Sequence, residues 1–132
     1  MTLLLDLPIT LPSLNASYGK RSGYHVVRKL KLELSIALAA AIVNEVGRLY
    51  RAGEPIPPCL QSPRVPIERA RIHYVRYGKR KLDNDNLIGS AKPLLDALKR
   101  AGIILDDDAE HVSVTYAHER GEHRTLVSVS HL

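Results

Sequence analysis

The sequence predicts an α+β domain: one mixed sheet with two main helices packed on it, in the order β-α-β-α-β-β. Three observations predict it. Short alternating apolar runs recur near the start, the middle and the end of the chain. Two helix-length segments with apolar stripes separate them. At 132 residues the chain is long enough for one core and short for two, so residues 1–132 form a single domain.

Leu3, Leu5, Leu7 and Ile9 alternate and read as the first strand, which Pro12-Ser13-Leu14-Asn15 breaks. Residues 16–25 read as a polar loop carrying Lys20 and Arg21. From about Val26 to Ala52 the period becomes helical, with Leu30, Leu34, Ala37, Leu38, Ala41 and Val46 on one stripe and Gly53 placed to stop it. The stripe is generous for one small sheet. Core packing uses most of it, and part is available as an interface. Residues 53–66, with Pro55, Pro57, Pro58, Pro63 and Pro66, read as a stiff, extended and poorly packed connection within the domain. Ile67 to Tyr77 is the second strand, with Ala70, Ile72 and Tyr74 on one face and Arg69, Arg71 and His73 on the other. A second helix ends near Gly102, and Pro93 favours a helical turn at 86–90 followed by a kink. Val112, Val114 and Tyr116 mark a third strand; Val127 and Val129, or Leu126 on the opposite face, mark a fourth. A turn at Gly121 is expected to join these two as an antiparallel hairpin. The apolar stripes of both helices need a shared surface, and one sheet face supplies it.

The formal charge is +5 and the pI is near 9.5. That balance points to a polyanionic partner. It understates the basic surface, because Asp83, Asp85, Asp96, Asp106, Asp107, Asp108 and Glu110 crowd into one block. The chain has no Trp and no Phe, so Leu, Ile, Val, Ala and Tyr must fill the core. Cys59 is the only cysteine, which excludes an intrachain disulfide and suits a reducing compartment. Leu3-Leu4-Leu5-Asp6-Leu7-Pro8 is too short, and lacks the basic start, for a signal peptide. No apolar run approaches membrane-spanning length.

The central block carries the chemistry. Lys79-Arg80-Lys81-Leu82-Asp83-Asn84-Asp85-Asn86-Leu87 opens it, and Gly102-Ile103-Ile104-Leu105-Asp106-Asp107-Asp108 closes it. Taken singly, Asp83, Asp85 and Asn86 also fit a helix cap, and Asp106-Asp107-Asp108 an ordinary polar turn. Together they place carboxylates at both ends of a helix, with Ile103-Ile104-Leu105 as the buried return that brings the chain back. Carboxylates that approach one another repel unless a cation sits between them, and a hard divalent ion such as Mg²⁺ takes oxygen ligands. A calcium-binding EF-hand is excluded, because its fifth and twelfth positions would be Leu87 and Leu94. The six His and one Cys show no zinc-site spacing, and His111 and His118 read as residues of strand faces or a loop edge. No glycine-rich phosphate loop is present.

At these residues the chain resembles the RusA family of Holliday-junction resolvases. The match consists of Asp83-x-Asp85-Asn86-Leu87, a downstream Lys, Asp96-Ala97-Leu98, Ala101-Gly102 and the Asp106-Asp107 pair. Pro12-Ser13-Leu14-Asn15 with Tyr18 is similar to a family segment near the start. The resemblance implies a dimeric, Mg²⁺-dependent endodeoxyribonuclease that nicks four-way DNA junctions symmetrically, in recombination and repair, with Mn²⁺ as a substitute metal. It implies Asp83, Asp85 and Asp107 as catalytic metal ligands, with Asp106 as the alternative to Asp107. It implies Lys92 as the catalytic lysine, after an insertion of about one helical turn that returns to the same face. Its setting would be the cytoplasm of a bacterium, encoded there, by a prophage or by a phage.

Lys20, Arg21, Lys79, Arg80 and Lys81 are candidates for phosphate contacts that position DNA; the alternative for each is a solvated surface charge. Two other readings stand beside the resolvase: a nuclease for forks or flaps, and a non-catalytic DNA-binding module whose acids are structural.

Overall fold

The computed structural model describes residues 1–13 and 23–132. The elements are β1 (Thr2–Leu7), α1 (Gly23–Arg51), β2 (Ala70–Gly78), α2 (Asn84–Ser90), α3 (Lys92–Arg100), β3 (Val112–Arg120) and β4 (Arg124–His131). They form an α+β domain built on one mixed sheet, as its alternating strands and long amphipathic segments dictate.

The strand order is β1-β4-β2-β3. β4 is antiparallel to both β1 and β2, while β2 and β3 run parallel. Residues in register build rows across one face. Leu3, Val129, Ile72 and Val114 form one row, and Leu5, Val127, Tyr74 and Tyr116 the next. The first three members of each row are fully buried. α1 packs on this sheet at β1 and against α3, and α2 lies against β3. The opposite face carries Arg71, His73 and Thr115 in solvent.

The expected β3–β4 hairpin does not form. β2 lies between the two strands, and the Gly121–His123 link passes over its end, where the Gly121 N–H donates to the Gly78 carbonyl at 3.3 Å. The link is long enough for either route. Four Cα steps reach about 13 Å, and skipping one strand needs about 9.6 Å. Burial decides the route, because β2 carries the central apolar residues Ala70, Ile72 and Tyr74 and gains a partner on each edge.

Two glycines end helices in the same way. Gly53 has φ +69° and Gly102 φ +77°. After each, the next N–H reaches back to a carbonyl five residues earlier: Glu54 to Leu49 at 2.9 Å and Ile103 to Leu98 at 3.0 Å. This left-handed turn costs glycine little. The helix after β2 breaks at Ala91, which puts Pro93 in the first turn of α3, where its missing N–H removes no bond. The apolar return is also present. Ile103 and Ile104 are buried, and Ile104 forms a parallel bridge with Ile67.

The proline-rich connection is better packed than its composition suggests. Pro58–Leu60 forms a short 3-10 turn that buries Cys59 and Leu60 in the core, and Arg64 Nη1 donates to the Cys59 carbonyl at 3.1 Å. Prolines suit such a segment because their missing N–H groups need no buried partner.

Candidate functional site

Asp83 sits where β2 hands over to α2. Its Oδ1 accepts from the Asn86 N–H at 2.9 Å, making it the N-cap of α2. Asp85 follows in the first turn and is exposed, where the helix N-terminus favours negative charge. The break after α2 is tied to the sheet. Ser90 is buried, donates to the Leu87 carbonyl at 2.6 Å and lies 2.9 Å from the Tyr74 hydroxyl. Burial pushes the Tyr74 phenol up to about 12, so it remains protonated. Tyr74, in the middle row of the sheet, thereby fixes the turn from which α3 starts.

Lys92 is the first residue of α3. Its Nζ lies 3.4 Å from Asp107 Oδ2 and 3.5 Å from Asp96 Oδ1. The Asp96 charge, then the hydrogen bond to Asp107, hold the ammonium above its ordinary pKa. A lysine held this way is a permanent cation: it can stabilise negative charge and does not act as a general base near neutral pH. Lys92, seven residues after Asp85, is thus in reach of Asp107. Asp107 is the least exposed member of the group, with its side chain 20 % exposed against 66 % for Lys92.

The neighbouring acids are engaged too. Asp106 Oδ1 accepts from the Asp107 N–H at 2.8 Å and from Lys99 Nζ at 3.0 Å. These partners, the backbone N–H first, pull its carboxyl down to about 2. Asp108 Oδ1 accepts from the N–H groups of Glu110 and His111 and lies 2.5 Å from His111 Nδ1. The Asp108 carboxylate holds the imidazole above its ordinary pKa.

Among the described residues, one group of three possible ligands has its atoms within 4.8 Å of one another: Asp106, Asp108 and His111. This differs from the set expected from sequence. Asp106 is common to it as the alternative ligand, Asp107 lies inside the same turn, and Asp83 and Asp85 stand outside it. His111 joins the turn as a residue that sequence reasoning placed at a strand or loop edge; the available signal was its three-residue spacing from Asp108. As donors, Asp83, Asp85 and Asp107 offer oxygen alone and suit a hard ion. The Asp106–Asp108–His111 group adds a nitrogen and suits a transition metal as well.

Lys79, Arg80 and Lys81 are exposed and follow the end of β2 directly. Lys20, Arg21, Tyr18 and the Leu14-Asn15 end of the similar N-terminal segment lie outside the described residues. No helix among the described residues is long and apolar enough to cross a membrane. The chain matches no family model and no curated protein.

Proposed function

We propose that the protein is a Mg²⁺-dependent, structure-selective endodeoxyribonuclease of the RusA kind that resolves four-way junctions by paired nicks. The observation that carries the reading is the approach of Lys92 to Asp107 at 3.4 Å. These two residues, fifteen apart in sequence, were assigned catalytic roles from the resemblance. Asp83, Asp85 and Asp107 would hold the metal, and the metal, when bound, supplies an activated water and neutralises phosphate charge. Lys92 stabilises negative charge developing on the phosphate. Lys79, Arg80 and Lys81 contact backbone phosphates and position the strand. A bacterial cytoplasm, with the gene in the host, a prophage or a phage, fits a single buried thiol at Cys59.

The decisive experiment is cleavage of a labelled synthetic four-way junction with and without Mg²⁺, with Mn²⁺ as a second metal. Paired, metal-dependent nicks support the reading. Preference for forks or flaps replaces it with a nuclease for other branched DNA. Tight binding without any cleavage replaces it with a binding module whose acids are structural.

A homodimer belongs to the same proposal, because two equivalent strands call for two equivalent sites. One face of α1 supports it. Leu32, Ile36, Val43 and Tyr50 are 63–80 % exposed and line up at steps of four and seven, opposite the stripe that packs in the core. Sedimentation at micromolar concentration should give twice the chain mass. Leu32→Glu with Val43→Glu should give the monomer.

A further inference from the structure

The third row across the covered sheet face turns polar where the first two are apolar. It runs Leu7, Thr125, Arg76, His118. Arg76 is 7 % exposed. Its guanidinium is always charged, yet every partner it has is neutral. Nε donates to the Leu11 carbonyl at 2.7 Å, and Nη1 donates to the Arg80 carbonyl at 3.0 Å and lies 3.3 Å from His118 Nδ1. Among the described residues no carboxylate comes within ion-pair distance of it. Residues 14–22 contain no Asp or Glu, so a counter-charge does not come from there either. A buried cation without an anion is costly to the fold.

His118 beside it carries an open donor. With Nδ1 accepting from Arg76, the ring proton sits on Nε2. That atom is buried and has no partner among the described residues. Burial, then the Arg76 and Lys81 cations, lower the pKa of the ring and keep it neutral. The surroundings are basic. Lys79, Arg80 and Lys81 follow β2, and Arg120 pairs with Gly78 at the end of β3; Glu119, Glu122 in the link, and Asp83 after the basic run are the acids at this end. Gly78 leaves the guanidinium room, since a Cβ there would lie 3.2 Å from Nη1.

We propose that Arg76 and His118, with the Lys79–Lys81 run, form an oxyanion site that takes a phosphate group. The shared chemistry is a tetrahedral phosphate. Naming a DNA backbone phosphodiester as its source rests on the nuclease reading; the site itself does not.

The test is a titration of the full chain with inorganic phosphate at constant ionic strength, without Mg²⁺, followed by NMR of the Arg76 side-chain N–H and the His118 ring. Saturable shifts of both signals are expected. Arg76→Gln should weaken phosphate binding roughly tenfold or more, the loss of one charge-assisted contact. Should that variant unfold, His118→Gln, which keeps an acceptor for Arg76, should weaken binding several-fold with the melting temperature preserved. Signals that do not move, or that move equally with chloride, overturn the site. Short duplex DNA that displaces phosphate from the same signals identifies the backbone as the source. Failure to displace it overturns that source and leaves a free phosphate ligand. Nicking is not read at any step, so failure of the nuclease reading leaves this result intact.

Discussion

The two ends of the β2–β3 pair settle charge in opposite ways. Ahead of β3, every acid in the Asp106–Asp108 turn meets a basic side chain of the same chain: Lys99 for Asp106, Lys92 for Asp107 and His111 for Asp108. Near the end of β2, Arg76 meets two carbonyls and a neutral imidazole. The acidic turn is half-exposed, and exposed ion pairs contribute only about 0–1 kcal/mol each. Its cations can therefore exchange partners at little cost when a metal or a phosphate arrives. Arg76 is buried, held by two backbone carbonyls and the His118 ring, and has no anion to give up among the described residues. The acidic turn pairs its charges within the chain; Arg76, among the described residues, does not.

The largest effect should come from removing the proposed metal ligands, Asp107 in the acidic turn and Asp83 and Asp85 at the other end of β2. Asp83→Asn, Asp85→Asn and Asp107→Asn each keep size and remove charge, and Asn still caps α2 at position 83. Nicking of a labelled junction should fall by about a hundredfold or more. Folding should persist, and junction binding should hold or tighten as repulsion of phosphate is removed. Normal nicking by Asp107→Asn with loss in Asp106→Asn would move the ligand by one residue, toward the group containing His111.

Next in size is Lys92→Ala. Nicking should drop roughly a hundredfold with the apparent dissociation constant almost unchanged, as expected for an ammonium that, on the proposed reading, acts on charge developing in the transition state. A raised dissociation constant with a normal saturated rate would make Lys92 a positioning residue. The comparison between the two ends would then lose its catalytic half.

At the basic end, Gly78→Ala should destabilise by about 1–3 kcal/mol. Its new Cβ would meet the Arg76 guanidinium at 3.2 Å and the Thr10 methyl at 3.1 Å. Chemical denaturation measures this. An unchanged midpoint would show that Arg76 has space to withdraw, contrary to a fixed receiving group.

The smallest effects are pH dependences within the acidic turn, and they run in opposite directions. Asp106 is depressed to about 2 in the fold. Its contribution is complete above the unfolded value of about 3.9 and is lost as pH falls through about 2. Asp106→Asn should flatten that acid limb. His111 is raised, so its contribution is complete below the unfolded value of about 6.5 and is lost as pH rises through the folded value. Melting temperatures of wild type and His111→Gln should therefore converge as pH rises.

Local rules made much of this molecule legible in its sequence. The alternation of Leu3, Leu5 and Leu7, the stops at Gly53 and Gly102, and the break that sets Pro93 in a first turn all depend on neighbours within a few residues. The buried return at Ile103-Ile104 followed from its apolar run. Asp83 serves as the helix cap that its residue type allows, whatever else it does.

What the tertiary structure alone decided involves distant partners. A short link containing glycine fits a hairpin and a strand-skipping connection equally, and only the burial of β2 between β4 and β3 selects the second. Proline content marked residues 53–66 as stiff without revealing that Cys59 and Leu60 enter the core. Nothing in the sequence singles out Arg76. Its place in the covered row, in register with His118 and without a carboxylate, arises from pairing β2 with a strand more than forty residues away. Which acids gather with His111 was likewise set by the fold of the turn, because sequence spacing fixes composition and only the folded backbone fixes which side chains meet.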